Sequence, residues 1–92
     1  MMTALVIVDS TPLDAQLMAQ YREQAAASLV PFGGEFISKG ELQVLHGETD
    51  FSHKAVLRFD SPELAKAWYY SEAYQALTEL RNKAMHSQFH LV

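Results

Sequence analysis

Four histidines, four tyrosines, one tryptophan and no cysteine are the raw material for chemistry in this 92-residue chain. Without cysteine there is neither a thiolate nucleophile nor a disulfide framework. No GxSxG elbow and no Ser-His-Asp arrangement is present, so nucleophilic catalysis has no support. Gly33-Gly34 alone does not make a phosphate loop. His86 and His90 share one strand face but stand about 13 Å apart, too far to bind one metal within one chain. His46 and His53 flank a loop, and no HExxH spacing occurs, so neither metal nor cofactor is expected.

The candidates that remain are acid-base and stacking groups. Asp9 closes the first apolar run, where it could cap the next helix or act as a base at a pocket mouth. Trp68, Tyr69 and Tyr74 cluster around a helix break and could wall a flat organic ligand. Helix-to-sheet packing accounts for the same spacing. Tyr21 sits on an apolar helical stripe, with a hydroxyl that could reach a pocket. Arg81 could grip a ligand carboxylate with both prongs, pair with Asp9 or Glu79, or stack on Tyr74. Arg58 shares a strand face with Val56. If that face is internal, Arg58, His86 and His90 make the interior mixed, because buried charge needs partners or a ligand.

Elements must position these groups. Ala4 to Val8 reads as a buried strand. Thr11-Pro12 reads as a cap followed by the first helical residue, and Leu13, Leu17, Tyr21, Ala25 and Leu29 form the helix stripe. Pro31 and Gly33-Gly34 end it. Glu35 to Lys39 reads as a second strand, with Gly40 as a bulge or turn before Glu41 to Leu45 resumes. Lys54 to Phe59 is a third strand, with Ala55, Leu57 and Phe59 on one face. Ser61-Pro62 starts a second helix that Ser71 can break and restart. His86 to Val92 is the last strand, with Ser87, Phe89 and Leu91 on one face.

The order predicts an α+β fold, a ferredoxin-like βαββαβ single domain over 1–92, with two helices on one face of an antiparallel sheet. The other face carries apolar residues that need cover. A second copy placed sheet to sheet, a homodimer, supplies it. The net charge of −4, with scattered lysines, fits neither nucleic acid nor a membrane surface. The N-terminal run reads as a strand, and the chain as cytoplasmic.

Ala67-Trp68-Tyr69-Tyr70-Ser71-Glu72-Ala73-Tyr74-Gln75 resembles the Ala-Trp-Tyr-x-Ser-Pro-Glu-Tyr-Gln segment of the domain-of-unknown-function family 1330. Gly33-Gly34, Phe59-x-Ser61, Leu80-Arg81 and Ser87 match its pattern as well, so the resemblance spans almost the whole chain. Glu72-Ala73 departs from the usual Pro-Glu. The resemblance implies the dimeric α/β-barrel superfamily and no assigned activity. That superfamily hosts cofactor-free monooxygenases, isomerases, haem enzymes and binding domains, so fold does not choose among them.

Three functional readings follow. The leading one is a homodimer that binds a small organic molecule between helices and sheet. Asp9, Tyr21, Arg58, Trp68, Tyr74, Arg81, His86 and Ser87 are its candidate pocket residues. The second is a cofactor-free monooxygenase or isomerase using His86, Asp9 or Tyr21. The third is a structural or interaction module whose interior is filled by side chains.

Overall fold

The computed structural model describes residues 3–92. Its elements are β1 (Ala4–Pro12), α1 (Ala15–Leu29), β2 (Glu35–Glu41), β3 (His53–Phe59), α2 (Pro62–Tyr69), α3 (Glu72–Gln75), α4 (Thr78–Ala84) and β4 (Met85–Leu91). The strands form one antiparallel sheet in the order β2-β3-β1-β4. Each βα unit skips one position, which the other unit's strand fills. This is the expected βαββαβ interleave, and the fold is α+β and ferredoxin-like.

One sheet face carries Ala4, Val6, Val8, Leu57, Phe59 and Met85 into the core. Helix residues Met18, Tyr21, Ala25, Leu29, Ala65, Trp68, Tyr74, Leu77 and Ala84 complete it. The helices do not share this work equally. α2 packs on β1 and β3, whereas α1 leans chiefly on α4. That leaves room between α1 and the strands.

Local chemistry explains the element ends and corrects several expectations. β1 does not stop at Val8: Ser10, Thr11 and Pro12 pair with Ser87, His86 and Met85 of β4. Thr11 and Pro12 therefore belong to the strand, and the helix cap is Asp14, whose carboxylate accepts from the Leu17 N–H at 2.9 Å. Leu13 precedes the helix and is 62% exposed, so the stripe begins at Leu17. A single 3₁₀ turn at Val30–Phe32 follows α1, and Gly33 closes it in the left-handed region with φ 68°. The β2 irregularity lies between Phe36 and Ser38 rather than at Gly40, and the chain beyond Glu41 is loop rather than strand. β3 and β4 keep the expected faces, and β4 begins one residue early at Met85.

The second helical segment follows its cap signals. Ser61 accepts from the Leu64 N–H, with Pro62 in the first turn. Ser71 donates to the Trp68 carbonyl at 2.7 Å and accepts from the Tyr74 N–H at 3.2 Å, so it closes α2 and opens α3. The restart survives the loss of the usual proline after Ser71 because the serine hydroxyl serves both ends.

Candidate functional site

The eight candidate residues separate into four places. Tyr21 and Trp68 line a cleft of about 490 Å³ between α1 and the sheet. Arg81 and Ser87 line a second cleft, of about 510 Å³, at the β4 edge. Asp9, Arg58 and His86 lie on the opposite sheet face. Tyr74 is fully buried between the two clefts.

The α1 cleft is walled by Met18, Ala25 and Leu29 on one side and by Val8, Ala55 and Leu57 on the other. Trp68 and Phe89 also line it. Trp68 is 1% exposed. Its indole N–H donates to the Ser28 hydroxyl at 2.9 Å, and Ser28 donates to the Ala25 carbonyl at 2.6 Å. Ser10, Arg22, Lys39 and His53 also line this cleft, and none was singled out from the sequence as a pocket residue. Arg22 and Lys39 come from opposite walls, so no sequence spacing joins them. Ser28 had a signal: it stands three residues past Ala25 on the same helical face.

A polar chain runs from one cleft to the other. Arg81 Nη1 donates to the Tyr69 hydroxyl at 3.1 Å and to the Tyr74 hydroxyl at 3.3 Å. The Tyr74 and Tyr21 hydroxyls are 2.7 Å apart. Because Arg81 is a donor only, Tyr74 is free to pass its own proton on to Tyr21, and Tyr21 to donate outward. Burial raises the pKa of Tyr21, and its phenolic neighbour Tyr74 adds to the rise. Burial also raises that of Tyr74, and the bonds to Tyr21 and Arg81 offset it only in part. Both phenols are neutral donors at neutral pH, not bases. Burial opposes the charge on Arg81, but the hydrogen bonds to Tyr74 and Tyr69 outweigh it and raise its pKa. The guanidinium also sits over the rings of Tyr69, Tyr74 and Phe89. The stacking alternative for Arg81 is therefore the one realised, while Asp9 and Glu79 bind Lys54 and Lys83 instead.

Asp9 caps no helix. It bonds Lys54 at 3.2 Å and receives the Gln88 amide at 3.1 Å on the outer sheet face. Arg58 pairs there with Asp60 at 3.1 Å and Glu35 at 3.8 Å. His86 stacks on Phe51, ring centroids 5.3 Å apart. These three residues enter neither cleft. No cluster of three or more metal-ligating side chains occurs among the described residues. No helix among them is long and apolar enough to cross a membrane.

The fold is shared with solved structures at low identity. A protein of unknown function from Rhodopseudomonas palustris superposes with TM-score 0.77 at 14% identity, covering 98% of this chain and 80% of that one. SnoaB, a cofactor-independent oxygenase from Streptomyces nogalater, gives 0.71 at 12%, covering 98% and 90%. A dimeric ferredoxin-like protein of unknown function from Jannaschia sp. CCS1 gives 0.70 at 13%, covering 99% and 98%. No curated protein matches the chain. The family model described as domain of unknown function, DUF1330, matches residues 3–92, and the chain belongs to that family.

Proposed function

We propose that this protein is a homodimeric domain that binds a small, flat organic molecule in the cleft between α1 and the sheet. The observation that carries this reading is the cleft itself, about 490 Å³ with Tyr21 set in its wall. A module filled by its own side chains would have a solid interior at this place. The lining is mostly apolar, with a few polar groups, as small-molecule sites are. The Arg81–Tyr74–Tyr21 chain polarises the Tyr21 hydroxyl, which suits donation to a carbonyl or hydroxyl oxygen of the ligand.

The groups singled out from the sequence for an enzyme are not placed to act as bases in the cleft, although its lining does include His53. Of these three groups, Asp9 and His86 lie across the sheet from the cleft, and Tyr21 holds its proton. Likeness in fold to SnoaB supports the enzyme alternative only at the level of architecture.

The homodimer rests on the uncovered sheet face. Leu5, Ile7 and Val56 form its half-buried apolar centre, ringed by the Asp9–Lys54 and Arg58–Asp60 pairs. An apolar centre with a polar rim is the anatomy of an isologous interface. The Jannaschia protein, of the same fold, is dimeric.

Trp68 is the chain's sole tryptophan, so its emission reports the cleft directly. Titration with 2-naphthol is expected to change that emission saturably. Ala55→Phe, which fills the cleft, is expected to abolish the effect, and Tyr21→Phe to weaken binding about tenfold. An unresponsive Trp68 across a panel of planar phenols and ketones, or unchanged binding in Ala55→Phe, would refute the reading.

A further inference from the structure

We propose that the cleft at the β4 edge is a second, separate site, which takes a small organic carboxylate. Its centre is a charge without a counter-charge. Arg81 is half-buried, yet no carboxylate touches its guanidinium among the described residues. Its Nη1 is committed to the two phenols and its Nε to Asn82, while Nη2 has no partner among the described residues. A partly desolvated guanidinium that is fully charged and held in place by three aromatic rings is a preorganised anion grip.

The surroundings agree in sign. Lys66, Arg81 and Ser87 line the cleft with their side chains, and no aspartate or glutamate does, although acidic residues outnumber lysine and arginine 11 to 7 in the chain. Lys66 makes no ion pair, and the Ser87 hydroxyl no hydrogen bond, among the described residues.

The strand supplies further donors. Leu5 and Val92 exchange both backbone bonds, at 2.9 and 2.8 Å. Alternation along the antiparallel pair then turns the N–H groups of Ser87 and Phe89 away from β1, toward the open edge of the sheet. Positive side chains, a hydroxyl and unpaired edge amides thus meet in one depression. Val6, Ala65, Phe89 and Leu91 give it an apolar floor. The exposed Tyr70 ring stands edge-on to Tyr69 at 5.2 Å and adds a flat wall. A carboxylate on a short apolar or aromatic body satisfies both halves of this surface, with the carboxylate on Arg81 and Lys66 and the body on Tyr70 and Leu91.

Amide-resolved NMR titration with benzoate, set beside its uncharged isostere benzamide, tests the site. Benzoate is expected to shift the amides of Lys66, Tyr70, Arg81, Ser87 and Phe89, with benzamide at least tenfold weaker. Lys66→Gln, a change at an exposed position, is expected to weaken benzoate about threefold. Arg81→Lys, which keeps the charge but removes the Nη2 donors left free among the described residues and the planar group stacked on the rings, is expected to weaken it at least fivefold. Equal binding of the amide overturns the proposal. So do absent shifts, shifts confined to the α1 cleft, or wild-type affinity in both variants. The α1-cleft reading stands or falls separately, on the Trp68 response.

Discussion

Trp68 and Tyr21 are wall and core at once, and their neighbours decide which role dominates. The Trp68 ring is packed against Phe59 and Tyr74 at centroid distances of 5.5 and 4.4 Å, so its removal opens the core. Trp68→Ala is expected to lower stability by about 3–5 kcal/mol in urea denaturation. Tyr21 and Tyr74 ionise less readily in the folded chain than in the unfolded one, where a phenol has its ordinary pKa of 10.0. From about pH 10 to 12 the unfolded chain sheds these protons while the folded chain keeps them, so stability falls as pH rises through that window. Tyr21→Phe should flatten the decline, as denaturation midpoints across the window would register. The aromatic cluster was legible in the sequence because tryptophan and tyrosine at helical spacing bury themselves. The destination of Asp9 was not, because a carboxylate at a strand end can face either side of the sheet. Only the pairing with Lys54 in β3 fixes it.

At the scale of elements, two small features hold the cleft's frame. Ser71 bridges α2 to α3 with one hydroxyl, and Ser71→Ala is expected to cost about 1 kcal/mol, measured by thermal unfolding. Gly34 sits where a Cβ would come within 2.5 Å of the buried Phe59 ring and 2.7 Å of Leu29. Gly34→Ala is therefore expected to cost about 1–3 kcal/mol, read the same way, by displacing one of them. Cap signals were read correctly at Ser61-Pro62 and incorrectly at Thr11-Pro12, although the two look alike. The difference lies in partners far along the chain. β4 pairs with β1 through Pro12, and that ladder outweighs a local helix start. The bulge between Phe36 and Ser38 had no signal either, since glycine at position 40 drew the expectation four residues downstream of Phe36.

At the scale of the whole molecule, the sheet divides two environments. Helices cover one side, and Leu5, Ile7 and Val56 await cover on the other. Ile7→Asp is expected to convert a dimer into a monomer in sedimentation velocity while leaving the helical circular dichroism intact. A wild-type chain that sediments as a monomer at high concentration would remove the dimer from the model of function. The topology was legible because strand and helix periods alternate cleanly and the crossover rule leaves few arrangements. The division of the candidate residues among two clefts and an outer face was not, because it depends on how far α1 stands from the strands. That stand-off separates two tasks. α2 with β1 and β3 is the keel of the molecule, and α1 is its roof. Roof tiles such as Ala26 can be exchanged at little cost to the keel, so, under the proposed binding function, a lineage could retailor what the chamber admits while the hull stays as built.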